Sequence, residues 1–370
     1  MNEHLLDLLK ILNDRYDSDI QKRIINCHIR ALNWEETDRL PLVITYPYPS
    51  NCKFQPFPYS ETLKDSEKML YNELLYTFES SIYLHNVIKD DLPYNVRVNC
   101  GTVLVASTLG GVVEQRDNMY PWIRHLSAGE NFNPCADNNA ILDYVLRTYK
   151  FYNKVFSEYS NLKNIINIVL PDLQGPLDTL EQLKGGDIFL DMIMNSDGVK
   201  EDLNIISRKQ VEIATMLFPY VSNLGNYSFQ HNVMIKGNIL IRDDSAVLID
   251  SEMYSEFIKG CDSFVLSSLK GGGIHSCGKI DMNLHKIFEI DNLKCFDFGQ
   301  SYLNDLNYAY SLSKEKKIPL LRLRLPKELL LSTELKKKFP TGVSLVYDAK
   351  SFEEACHIST QYTKIYGTNV

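Results

Sequence analysis

Apolar residues recur at helical spacing over 4–12 (Leu5, Leu8, Leu9, Leu12) and over 18–34 (Ile20, Ile24, Cys27, Ala31), predicting two short helices ahead of the main domain. A buried strand is predicted over 40–46, bounded by Pro41 and Pro47. Further apolar runs, read as strands, lie at 96–106, 165–170, 231–241, 273–277, 294–298, 318–325 and 342–347. Helical patterns separate them at 62–89, 139–159 (with Asp137 as its cap), 177–194, 200–224, 251–269, 282–290, 302–313 and 327–338. A final helix opens on the capping box Ser351-x-x-Glu354 and closes at Gly367. Strands alternating with helices imply a parallel sheet, and eight such units imply an α/β protein built as a (β/α)8 TIM barrel. The expected layout is an N-terminal helical extension over 1–37 and one barrel over 38–370.

Composition narrows the class. At 370 residues the chain has room for a large core, and 44% hydrophobic with 23% charged residues is ordinary for a globular protein. The net charge of -8 is spread along the chain, which argues against a nucleic-acid or anionic-membrane partner. Eight dispersed cysteines without a CxxC read as reduced thiols and predict a cytoplasmic protein. The first residues carry no basic, signal-like region, and no apolar run reaches the length of a membrane span.

In a barrel the chemistry sits at the C-terminal ends of the strands. Polar residues ending apolar runs here are Asp172 and Gln174, Asp243 and Asp244, and His275 and Cys277, followed by Asp297, Arg324, Tyr347 and Asp348. Any one alone reads better as a helix cap or a solvated loop residue, and the signal is their joint convergence on one rim. On a strand, His275 and Cys277 point to one side, and an imidazole beside a thiolate suits zinc. The preceding Gly271-Gly272-Gly273 lets the backbone bend and a bulky ligand approach. The segment 46–59 holds prolines at 47, 49, 56 and 58 among five aromatic rings, including Tyr48. It is therefore an extended loop that either covers the core or touches a ligand.

Taken in order, Asp172-Leu173-Gln174-Gly175-Pro176, Leu183-Lys184-Gly185-Gly186-Asp187, Asp243-Asp244-Ser245-Ala246, Ser251-Glu252-Met253-Tyr254-Ser255-Glu256-Phe257 and His275-Ser276-Cys277-Gly278 form a recognisable set. The chain resembles the uroporphyrinogen decarboxylase superfamily, which includes cobalamin-dependent methyltransferases. The likeness runs from about residue 39 to the C-terminus and is strongest over 166–300. The decarboxylases of that family carry arginine on the loop after the first strand. Here the loop 45–61 has only Lys53, so tetrapyrrole decarboxylation is not expected.

The resemblance to the methyltransferase branch implies zinc held by His275 and Cys277, with a third cysteine near the last strand. That position falls at Tyr347-Asp348-Ala349, so Asp348 is the expected third ligand, with Cys295 or Glu252 as substitutes. It also implies methyl transfer between a corrinoid (cobalamin) carrier, held on a partner protein, and a small thiol or other acceptor. Candidate catalytic residues are then Asp172, Asp243, His275 and Tyr48, and candidate cofactor contacts are Gln174, Gly273 and Asp244. Two other readings stay open. One is a metal-free decarboxylase or lyase with His275 as general acid, and the other a non-catalytic barrel that binds a corrinoid protein.

Overall fold

A computed structural model describes residues 1–127, 133 and 140–367. Its centre is a seven-stranded, wholly parallel sheet. The strands, in chain order, are β1 (Leu42–Thr45), β4 (Leu173–Gln174), β5 (Ile239–Arg242), β6 (Gly272–Ser276), β7 (Leu293–Phe298), β8 (Leu320–Leu323) and β9 (Val343–Asp348). Their spatial order is β1-β9-β8-β7-β6-β5-β4. A second parallel pair joins β2 (Asn95–Val96) to β3 (Asn167–Ile168). Helices connect successive strands, as parallel pairing requires. The chain is thus mixed α/β with a parallel sheet. No helix among the described residues is long and apolar enough to cross a membrane.

The two leading helices form as expected, at Glu3–Arg15 and Ser18–Leu32. Asn2 and Asp17 cap them by accepting hydrogen bonds from His4 N and Asp19 N. Leu5, Leu8, Leu9 and Leu12 are fully buried and join the main core. The final helix, Phe352–Tyr366, has Ser351 accepting from Glu354 N, while Glu354 accepts from Lys350 N. The helix Ala140–Glu158 is present, and its expected cap Asp137 lies outside the described residues.

Several expectations about elements need correction. The run 96–106 is strand only at its start, in β2, and its end is the helix Leu104–Thr108. The pattern 327–338 is two short helices, Lys327–Leu330 and Glu334–Lys338. The run 231–241 is not one strand. It holds the second arm of an antiparallel hairpin (Tyr227–Gln230 with Val233–Lys236) and then, after Gly237 at φ 102°, the separate β5. Val233, Met234 and Ile235 form a small apolar cluster with Leu240, Cys295 and Leu321 of the sheet and Leu32 of the second helix. The pattern 62–89 is likewise not one helix. It breaks into Tyr59–Thr62, Ser66–Leu75 and His85–Ile88, with a reversal where Thr77 and Ser80 exchange backbone hydrogen bonds. Phe78 and Glu79 hold positive φ in that reversal, a cost that packing around Phe78 must offset.

Candidate metal centre and active site

Because the sheet is parallel, the last residues of β4 to β9 emerge at one end. Cα register pairs Gln174 with Arg242, Arg242 with His275, and His275 with Asp297. Period-two alternation aligns the side chains of such a row on one side of the sheet, so one layer of charged groups assembles from four neighbouring strands.

His275 is the hub. Its Nδ1 lies 2.7 Å from Asp297 Oδ2, and its Nε2 lies 3.4 Å from Cys277 Sγ and 3.5 Å from Asp244 Oδ1. Arg322 Nε donates to Asp297 Oδ1 at 2.7 Å, and its Nη2 pairs with Oδ2 and lies 2.9 Å from His275 Nδ1. A proton on Nδ1 directed at Asp297 leaves the Nε2 lone pair facing Cys277 and Asp244. Burial, with the Arg242 guanidinium second, holds His275 below the usual imidazole range although Asp297 pulls the other way. Burial raises Asp297, but Arg322 and His275 overcome it and keep the group ionised.

Asp244, His275 and Cys277 each offer a ligand atom, and these atoms lie within 4.8 Å of one another. Zinc bonds of roughly 2.0–2.3 Å at tetrahedral angles separate neighbouring ligands by roughly 3.3–3.8 Å. The distances from Nε2, 3.4 and 3.5 Å, fall in that range. The donor set of one imidazole, one thiol and one carboxylate also suits zinc. Burial first, and the Asp244 carboxylate second, push the Cys277 thiol up to about 12. A bound cation reverses that preference.

The cluster that could hold a metal contains Asp244 where Asp348 was expected. Asp348 is half exposed and both its oxygens are engaged: Thr45 Oγ1 donates to one at 2.7 Å and Arg324 Nε to the other at 2.6 Å. The arginine two residues beyond β8's buried one draws Asp348 into a surface pair. Cys295 sits deeper, its Sγ 3.5 Å from Lys236 O, in the small apolar cluster. Glu252 lies on the short outer helix Ser251–Met253. Neither belongs to the ligand cluster.

The other expected site residues divide. Asp172 shares the charged layer, paired with Arg97 Nη1 at 2.5 Å, with Arg242 Nη2 and His231 Nε2 at 3.2 Å each, and with the Gln230 amide. Burial alone would raise its pKa, but Arg242, Arg97 and His231 hold it well below the usual carboxylate range. Such a group is a poor proton acceptor at neutral pH. Gln174 is buried beside it, and its Oε1 has no hydrogen-bond partner among the described residues. Asp243 is fully buried among Asp262, Asp178 and Tyr254, on the opposite side of the strand end from Arg242. Gly273 is a packing position: a Cβ there would meet Cys295 Sγ and Leu240 Cδ1 at 2.6 Å. Tyr48 is half-buried, donates to Phe54 O at 3.0 Å and packs on Tyr76, with centroids 5.2 Å apart. The other rings of its loop pack down too, Phe54 on Tyr83 and Phe57 on Tyr71. That favours the core-covering reading of 46–59.

Sequence reasoning missed Arg97, His231, Arg242, Arg322 and Phe78. The signal for the arginines was there, since a charged residue within a fully buried apolar strand needs a partner (Ile239-Leu240-Ile241-Arg242; Leu320-Leu321-Arg322-Leu323). Phe78 arrives from the broken helix, stacks on His231 at 3.8 Å between centroids, and lies under the Arg322 guanidinium at 5.4 Å. No local pattern announced that contact.

Among known proteins, no family model matches the chain and no curated protein matches it. Among solved structures it resembles a methyltransferase from Methanosarcina mazei, with a TM-score of 0.63 and 14% sequence identity over 94% of this chain and 99% of that one. At that identity the likeness establishes a shared fold.

Proposed function

We propose that this protein is a zinc-dependent methyltransferase that moves a methyl group between a corrinoid on a partner protein and a small thiol or other acceptor. The observation that carries the reading is the convergence of Asp244, His275 and Cys277, backed by Asp297 and Arg322, at the strand ends. The fold shared with a methyltransferase supports it. Zinc held by the three ligands would supply an open position at which a substrate thiol loses its proton near neutral pH and becomes a nucleophile.

The chain's own groups have defined tasks in this reading. Asp297 fixes the ring of His275 and its tautomer, and Arg322 keeps Asp297 ionised. The Cys277 backbone N–H donates to Asp244 Oδ1 at 2.7 Å, which ties the carboxylate to the thiol that shares its metal. Asp178 accepts from the backbone N–H groups of Asp244 and Ser245 at 2.9 and 2.7 Å and so anchors the turn that carries Asp244. Phe78 covers the Arg322–His231 side and excludes water there. Asn232, buried with its whole amide unpartnered, and Gln174 Oε1 offer hydrogen bonds to a polar acceptor substrate.

The reading extends to architecture. If β3 and β4 are counted as two ends of one interrupted run, the sheet and the β2–β3 pair would supply eight strands in the order of a (β/α)8 barrel, which supports that reading. Between β1 and β2 the carboxylates of Asp91 and Asp90 accept from Leu42 N and Ile44 N at 2.9 and 2.6 Å and stand in for ladder hydrogen bonds. We take 38–370 as that barrel, with the helices of 1–37 packed against it. The free thiols of the described cysteines favour the cytoplasm.

A metal-free lyase with His275 as general acid is less well supported, because burial keeps the imidazole neutral. The test is a methyl-transfer assay with methylcobalamin as donor and a small thiol as acceptor, read from the corrinoid spectrum. Turnover that is lost with a chelator and restored by zinc supports the reading. Chelator-insensitive turnover, or no transfer by zinc-loaded protein, removes it.

A further inference from the structure

The opposite end of the sheet holds a cavity of about 1240 Å³. It is lined where the strands begin: Lys236 and Asn238 before β5, Lys270 before β6, Lys294 at the start of β7, and Lys316 and Lys317 before β8. Because the strands are parallel, this mouth and the His275 site are separated by the full length of the sheet. Five lysines and no aspartate or glutamate line it, in a chain whose net charge is -8. Among the described residues only Lys316 has an ion pair, with its neighbour Glu315 at 3.7 Å. Lys317 lies over the Trp34 ring instead. Lys236 is half-buried without a counter-ion, and burial depresses its pKa, Lys294 adding to the effect. Ammonium groups gathered in a concave, partly desolvated place repel one another unless an anion joins them.

We propose that this cavity is a binding site for a small polyanion carrying two or more clustered phosphate groups. Each phosphate offers three acceptor oxygens to the lysines, and the Asn223, Asn226 and Ser228 side chains on the rim supply hydrogen bonds for the rest of the ligand. The volume exceeds what a lone phosphate needs and admits a ligand of nucleotide size. The site is independent of the metal reading, since none of its lining residues touches Asp244, His275 or Cys277.

Calorimetric titration of the full chain with inorganic tripolyphosphate, at two salt concentrations, tests it. One saturable site is expected, weakening as salt rises. The pair Lys236→Gln/Lys294→Gln should weaken it about tenfold or more, while the distant pair Lys10→Gln/Lys64→Gln changes nothing. Lys236 is partly packed, so the exposed pair Lys270→Gln/Lys317→Gln is a second route to the same loss. Titrations with ADP and with a water-soluble phosphoinositide headgroup identify the source of the phosphates, and saturable binding of either that the lysine pairs abolish supports the site. Absence of saturable binding, or equal weakening by the distant pair, overturns the proposal.

Discussion

Two groups of aspartates stand back to back at the end of β5, and the same side chain behaves oppositely in each. In front, Asp172 and Asp297 are buried but meet Arg97, Arg242 and Arg322, which hold both carboxylates ionised. Behind, Asp243, Asp262 and Asp178 are equally buried and face one another with no arginine between them. Burial followed by the charge of Asp244 pushes Asp178 up to about 7, burial alone does so for Asp262, and Asp243 is raised well above the carboxylate range. Tyr254 donates to Asp262 Oδ2 at 2.5 Å, and among the described residues Asp243 has no donor other than the carboxyl of Asp262 that faces it. Which side of one strand a residue takes decides whether its carboxyl is a charge or an acid. The front set holds charge and the rear set holds protons.

Removing a cation from the front should have the largest effect. Arg322→Met strands the fully buried Asp297 charge and should lower unfolding free energy by about 3–5 kcal/mol in urea denaturation. A loss below about 1 kcal/mol would mean that the pairing does not support this layer. Next comes the contrast between neighbouring aspartates. Asp172→Asn leaves Arg242 without its carboxylate and Arg97 with only Glu73, and should cost about 2–4 kcal/mol, whereas Asp243→Asn replaces an already neutral group and should stay within about 1 kcal/mol at pH 7. Equal costs would erase the distinction between the two sets.

The pH dependence separates the sets by sign. Asp178 and Asp262 have folded pKa values raised to about 7, so their contribution is full below the unfolded value of roughly 4 and declines as pH rises toward 7. Asp172 and Asp297 are depressed, so theirs is full above roughly 4 and is lost only as pH falls further toward their folded values. Asp262→Asn should flatten the decline between pH 4 and 7, by on the order of 2 kcal/mol, without altering the acid limb. The smallest effect on stability belongs to Asp244→Asn, about 0.5 kcal/mol or less, since the amide oxygen still accepts from Cys277 N. Its zinc affinity, measured by competition with a chelator, should nonetheless fall tenfold or more.

Much of the architecture was legible because parallel buried strands are short apolar runs closed by glycine, proline or a cap. Six of the expected runs supply strands of the main sheet and the runs at 96 and 165 pair with each other, while the two-residue β4 lies outside all of them. The hairpin at 227–236 was not, because its second arm and β5 read as one run interrupted only by the short Lys236-Gly237-Asn238. His275 and Cys277 could be read as a pair because period two is local. The family resemblance points to Asp348 near the last strand as a third partner, while Asp244 comes close only through the pairing of β5 with β6. Arg97, Arg242 and Arg322 were legible in principle as charges inside apolar strands. Phe78 was not, since a helix broken by a two-residue reversal cannot be told from a continuous one by apolar spacing alone.

The central claim is that Asp244, His275 and Cys277 hold zinc together. Zinc-edge X-ray absorption on protein purified without chelator addresses it directly, alongside metal content per chain. The expected result is one zinc per chain with a single sulfur at about 2.3 Å and nitrogen or oxygen neighbours at about 2.0–2.1 Å, the sulfur shell vanishing in Cys277→Ala. Zinc without a sulfur neighbour, or a sulfur shell that persists in Cys277→Ala, would contradict the claim.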